Sequence, residues 1–145
     1  MKHAAVIIAT IVCLTMLGCN TERKNNVEGT WRLIAGTSKT ADSTYDYSMM
    51  DYDGMKMISN GHFMFVGRYL QNGDTAYNYG GGTYTLEGNH YTEILKYFPV
   101  KSMLGDTLSY EVQVRNDSLI QKGPRKIGKY KNVEWELYEV YRRAE

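Results

Sequence analysis

Glu93, Tyr84, His62 and His90 are the side chains beyond residue 26 that most invite a chemical reading. A carboxylate enclosed by apolar neighbours holds its proton more tightly, so Glu93 beside the Tyr84 phenol could work as an acid or base. The plainer alternative is a structural hydrogen bond, or an ion pair with an arginine such as Arg68. His62, His90 and Glu93 could be written as a metal triad. Each histidine lies beside a turn, however, and strand pairing sets His90 against Glu87 and away from Glu93, so no metal site is expected. Gly80-Gly81-Gly82 is not a phosphate loop, because no Gly-Lys-Ser/Thr follows it. A bulge or sharp bend in a strand is the better account of those glycines. Met55, Met57 and Met64 could form an adaptable lining for a flexible apolar ligand, or simply fill a core. No complete catalytic motif and no cofactor motif is present, so no residue is assigned a catalytic role.

The elements that must position these residues read as strands. Beyond Val27 no segment keeps a 3.6-residue apolar period over three turns, whereas runs rich in Val, Ile, Thr, Tyr and Phe recur between turn signals. Strands are expected at about residues 28–36, 54–59, 62–69, 76–87, 90–97, 107–115, 118–123 and 132–142. Eight strands joined by hairpins predict an all-β, eight-stranded antiparallel up-and-down barrel, which leaves no exposed edge. A flattened sandwich is the competing architecture. The one long connection, residues 37–53, carries Tyr45, Tyr47 and Tyr52 and could cap a barrel mouth.

Three two-residue turns determine which side chains share a face, since flanking residues pair and point the same way. Asn60-Gly61 pairs Ser59 with His62, Met57 with Met64 and Met55 with Val66, and sets Lys56, Ile58, Phe63 and Phe65 on the opposite face. Both faces are largely apolar, so pattern alone does not say which is inside. Gly88-Asn89 pairs Tyr84 with Glu93, Leu86 with Tyr91 and Gly82 with Leu95, a face taken as interior. Asn116-Asp117 sets Glu111 opposite Lys122, a pair that belongs in water, and turns Tyr110, Val112, Val114, Leu119 and Gln121 inward. The last strand would add Val133, Trp135, Leu137, Glu139 and Tyr141. A lumen with Glu93 and Gln121 in it needs internal partners or a ligand, because an unpaired buried polar group costs about 1–3 kcal/mol and a charge more. The residues expected to line a ligand site are Trp31, Leu33, Tyr84, Tyr91, Glu93, Leu95, Tyr110, Val112, Gln121 and Trp135.

Composition narrows the partners. Seventeen Lys+Arg balance sixteen Asp+Glu over 145 residues, which does not suit a nucleic-acid binder that must displace counterions from phosphates. The start of the chain points to export: Lys2 is followed by an uncharged stretch, residues 4–17, too short to span a bilayer, which takes about 20 apolar residues. Met16-Leu17-Gly18-Cys19 resembles the lipobox of bacterial lipoproteins, where the cysteine is acylated and becomes the new N-terminus. That resemblance implies a signal peptide at 1–18, lipidation of Cys19, a polar tether through residue 26 and a domain at 27–145. Cys13 leaves with the signal and Cys19 carries lipid, so the domain has no disulfide. Asn20 is not the aspartate that retains some lipoproteins at the inner membrane, which points to an outer-membrane protein facing the periplasm. The basic loop with Arg125, Lys126, Lys129 and Lys131 could lean on anionic headgroups or be plainly solvated.

Gly29-Thr30-Trp31 at the first strand, Gly61-His62-Phe63-Met64-Phe65-Val66, the run from Gly81 to Gly88 and Tyr91-Thr92-Glu93 together resemble a family of bacterial lipocalin-like lipoproteins, over nearly all of residues 27–143. The resemblance implies a calyx with an indole at its floor, an arginine near the last strand, Arg142 or Arg143, packed across it, and a small hydrophobic or amphipathic ligand held by a membrane-tethered monomer. The alternative is a filled barrel acting as a structural or interaction module of the cell envelope through loops such as 37–53.

Overall fold

The computed structural model describes residues 26–126 and 135–144. The expected leader, Cys19, most of the tether, Lys129, Lys131 and Val133 lie outside the described residues. Nine strands follow one another: β1 (Gly29–Lys39), β2 (Thr44–Asp46), β3 (Asp53–Ser59), β4 (His62–Gln71), β5 (Asp74–Glu87), β6 (His90–Tyr97), β7 (Thr107–Arg115), β8 (Ser118–Pro124) and β9 (Glu136–Arg143). Each strand from β3 to β8 pairs antiparallel with the next, and β1 pairs with both β3 and β9. The result is a closed eight-stranded antiparallel barrel, with β2 a short addition to the far end of β1.

The three turns fix registers as their residues require. Ser59 pairs with His62 and Met57 with Met64, Tyr84 with Glu93 and Glu87 with His90, and Val112 with Gln121. Glu111 and Lys122 form the expected exposed pair at 2.9 Å. Asn72-Gly73 is a fourth two-residue turn, both residues at positive φ, and it extends β4 to Gln71 and β5 back to Asp74 beyond the expected limits. The segment 37–53 is also more ordered than a single loop. Thr37–Lys39 continue β1 and pair with β2, after which a 3-10 turn, Tyr47–Met50, leads into β3.

Closure rests on two irregularities. Between Leu33 and Ala35 the β1–β9 register shifts by one residue. Trp31 and Leu33 face the interior before this bulge, and Gly36 and Ser38 after it. Between β5 and β6 the register shifts at Gly81 and Gly82, where the strands come so close that a Cβ on Gly82 would lie 1.9 Å from the Ile94 carbonyl oxygen.

One end of the barrel is sealed. Trp31 is fully buried, its indole N–H donates to the Val27 carbonyl at 2.8 Å, and the Arg143 guanidinium lies 4.2 Å from its ring centroid. Arg143 also donates to the Glu28 carbonyl, while the Glu28 carboxylate accepts from the Asn60 N–H and the Tyr84 hydroxyl. Ile58, Phe63, Tyr91, Val112 and Leu119 fill the space above this floor.

The methionine face of the β3–β4 hairpin turns outward at Met57 and Met64, which corrects both readings for those two residues, whereas Met55, nearer the mouth, is half-buried and borders the cavity described below. Met57 is 42% and Met64 55% exposed. The opposite face, with Gly54, Lys56, Ile58, Phe63 and Gly67, is buried. Glycines decide the choice: a Cβ on Gly54 or Gly67 would strike the Tyr52 side chain at 2.4 and 2.2 Å, so only that face has room for the tyrosine that folds in from the mouth.

Gly82→Ala should destabilise the barrel by about 2–3 kcal/mol, because backbone rather than a movable side chain occupies the Cβ position. Thr85→Ala, at an exposed site on the same strand, should cost less than about 0.5 kcal/mol. Urea unfolding of both variants checks this, and equal midpoints would remove close strand approach as the role of the glycine.

Candidate functional site

Above the sealed floor the barrel is hollow. A cavity of about 410 Å³ lies between the mid-barrel polar residues and the mouth. Leu33, Phe65, Leu95, Phe98, Leu108 and Leu137 supply apolar wall, while Lys56, Glu93, Gln121, Glu139 and Tyr141 supply a polar base. The segment between β2 and β3 caps part of the mouth, as its position suggests. Tyr47 packs against Gly36, Tyr47 and Tyr52 have ring centroids 5.4 Å apart, and the Tyr52 hydroxyl donates to Asn78 Oδ1 at 3.0 Å. Tyr47, Met50 and Tyr52 line the cavity, whereas Tyr45 is exposed.

The base of the cavity is built on one ion pair. Lys56 Nζ lies 2.5 Å from Glu93 Oε1, with both side chains 5% exposed. The same ammonium donates to Gln121 Oε1 at 2.8 Å and sits 5.1 and 5.6 Å from the ring centroids of Tyr91 and Phe63. Gln121 Nε2 reaches Glu139 Oε2 at 3.5 Å, and that oxygen accepts the Tyr141 hydroxyl at 2.6 Å. Five strands, β3, β6, β7, β8 and β9, each place at least one member of this layer, since Tyr110 of β7 also borders the cavity.

Burial sets the protonation of the surrounding groups. Desolvation raises the Glu139 carboxyl above its ordinary value, against the opposing charge of Lys56 and the Tyr141 hydrogen bond. The Tyr47 phenol is pushed up to about 12, by burial first and then by the Glu139 charge. Burial followed by the Glu93 charge raises Tyr91 and Tyr110, and burial followed by Glu139 raises Tyr141. These phenols are neutral donors at physiological pH, not anions.

Of the residues expected to line a ligand site, Leu33, Glu93, Leu95, Tyr110 and Gln121 border the cavity. Trp31, Tyr91 and Val112 instead belong to the packed core below it. Trp135 is half-buried before β9, with its indole N–H on Ser38 Oγ and the Arg125 guanidinium 5.5 Å from its ring centroid. Tyr84 and Glu93 share a face and a register position but not a hydrogen bond: the Tyr84 hydroxyl donates to Glu28 at 3.2 Å, at the sealed end. Nor does Arg68 reach Glu93. It pairs with Asp53 on the outer surface at 3.5 Å, because β4 turns Arg68 outward, and the partner of Glu93 is Lys56. His62 lies beside its turn with Nδ1 2.9 Å from the Asn60 carbonyl oxygen.

Lys56 and Glu139 are site residues beyond those expected from the sequence. The alternation of β9 had put Glu139 on the inner face, and the Asn60-Gly61 turn had put Lys56 beside Phe63. What was missing was the interior assignment of that hairpin face, for which Gly54 and Gly67 were the available signal.

Neither the known protein families nor the curated proteins provide a match to this chain. What fold and site define is therefore a class: a small antiparallel barrel, packed at one end and hollow at the other, with a charged layer between.

Lys56→Met should cost about 3–5 kcal/mol, since it leaves the Glu93 carboxylate buried without its cation. Adding Glu93→Leu to Lys56→Met should return most of that stability, because apolar residues of similar volume often replace a buried ion pair at little cost. Chemical denaturation of both variants tests this, and a double variant no more stable than Lys56→Met would contradict it.

Glu139 produces a signed pH effect. Its carboxyl is raised on folding, so the folded chain holds the proton more tightly than the unfolded one. The associated stability is fully present below the ordinary value of 4.5 and is lost as pH rises through the folded value. Wild type should therefore lose stability relative to Glu139→Gln across that window, by at most about 1.4 kcal/mol per pH unit. A melting-temperature difference independent of pH would contradict the assignment.

Proposed function

We propose that this chain is a lipid-tethered, lipocalin-like protein of the bacterial cell envelope whose barrel binds a small amphipathic molecule. The observation that carries the reading is the cavity of about 410 Å³, with apolar wall above a polar base. Its size falls within the range of small-molecule sites, roughly 300–1,000 Å³, and its lining has their usual form, apolar surface with a few converging polar groups. Desolvation of a hydrocarbon portion against Leu33, Leu95, Leu108 and Leu137 supplies affinity. Hydrogen bonds at the base orient the polar end. The Trp31–Arg143 contact at the closed end supports the lipocalin-like reading, as does the Gly29-Thr30-Trp31 sequence that begins β1. The tether rests on Cys19 and the uncharged stretch before it. In this reading the protein carries or sequesters its ligand, and the buried charges hold the site open rather than perform a reaction.

The test uses the full-length chain carrying Cys19→Ser, so that no acyl group competes for the cavity. 1-Decanol at 100 times its dissociation constant should stabilise the protein by about 2.7 kcal/mol, and native mass spectrometry should show one molecule bound. Leu108→Trp, which fills the cavity from β7, should weaken binding by at least about tenfold while the circular dichroism spectrum stays that of a barrel. Binding that survives Leu108→Trp, or no binding of any apolar alcohol, would overturn the proposal.

A further inference from the structure

The cavity lining holds two cations, Lys56 and Arg125, and two carboxylates, Glu93 and Glu139, but only one of the possible pairs is in contact. Lys56 and Glu93 neutralise one another at 2.5 Å. Glu139 is a second carboxylate in the same layer, and its near contacts are neutral donors: the Tyr141 hydroxyl at 2.6 Å and the Gln121 amide at 3.5 Å, both on Oε2. Among the described residues no lysine or arginine nitrogen lies within 4.0 Å of it. The groups packed around this layer are Lys56 from β3, Glu93 from β6, Tyr110 from β7, Gln121 from β8 and Tyr141 from β9, with Tyr47, Tyr52 and Arg125 nearer the mouth. Arg125 is stacked on Trp135. Arg125 acts on Glu139 only from a distance, so Glu139 is the carboxylate of the base that has no cation in contact, and it borders the cavity.

Resting on the reading that the cavity takes an amphiphile, we infer that its polar end is a primary or secondary amine, seated with the ammonium against Glu139 and the hydrocarbon against the leucines above. An ammonium supplies what Glu139 lacks, a cation in direct contact with charge-assisted donors. Desolvation raises the proton affinity of the Glu139 carboxyl in spite of the more distant charges of Lys56 and Arg125, and an incoming cation in contact would hold it ionised. Tyrosine rings along the wall, Tyr47, Tyr52 and Tyr110, present further favourable surface to a cation. A carboxylate head at the same depth would meet Glu93 and Glu139 as like charges. An alcohol would gain hydrogen bonds without charge. The rival is an anion held by Arg125 at the mouth, and the same experiment detects it.

Calorimetric titration of the full-length Cys19→Ser chain with decylamine, 1-decanol and decanoate at pH 7.5, repeated with Glu139→Gln, decides between them. Decylamine should bind at least about tenfold tighter than 1-decanol. In Glu139→Gln the gap should shrink to within about twofold, chiefly through loss of decylamine affinity. In the wild-type barrel the preference for the amine should narrow as acidification protonates Glu139, a measurement that decides the matter even if the glutamine variant fails to fold. Decanoate binding tightest, or an amine preference that survives Glu139→Gln, overturns the inference. Equal binding of amine and alcohol removes it and leaves the cavity reading standing, whereas no binding of any of the three removes both.

Discussion

The arrangement of this barrel depends on the contact between Lys56 and Glu93. Taking two ions out of water costs several kcal/mol each, and attraction in the interior offsets that cost only when geometry is close and the remaining hydrogen-bonding capacity is met. Here the ammonium lies 2.5 Å from the carboxylate, bonds Gln121 and rests over two aromatic rings. The pair joins β3 to β6, strands that are not neighbours in the sheet, across the barrel interior. It also divides the lumen: packed hydrocarbon lies toward Trp31 and open space toward the mouth.

That division explains how so short a barrel is both stable and hollow. An eight-stranded barrel is just wide enough to be filled by its own side chains or to hold one small ligand, and this chain does both in different halves. The closed half is filled by large side chains and sealed by the backbone before β1, with Arg143 over Trp31 and Glu28 bridging Asn60 and Tyr84. The open half has glycine at inward positions, Gly54, Gly67 and Gly80, where Tyr52 and Phe98 from the connections and Phe65, the cross-strand partner of Gly80, come close. Glycines at these inward positions leave room for Tyr52 and Phe98, which come from the connections and help to roof the space.

Much of the fold was legible because hairpin turns are local. Asn60-Gly61, Gly88-Asn89 and Asn116-Asp117 each specify a register through backbone preferences of two residues, and pairing then carries that register along both strands. Asn72-Gly73 holds the same information for β4 and β5. The choice of inner face was legible only where large apolar residues alternated with threonines, as in Tyr84, Leu86, Tyr91 and Leu95. It was not legible for the β3–β4 hairpin, where methionine and valine on one side compete with phenylalanine and isoleucine on the other.

The amino-acid order alone determined a class and a topology: turn residues at short spacing, no helical period and alternating strands lead to a closed antiparallel barrel with Glu93 and Gln121 inside. Tertiary structure decided the chemistry of the interior. Lys56 and Glu93 are 37 positions apart in the chain, and no local rule pairs them. They meet because two glycines admit Tyr52 to one face of β3 and β4 and so turn Lys56 into the lumen. Partner choice for a buried charge is set by which faces meet across the barrel, a property of closure that no single strand contains.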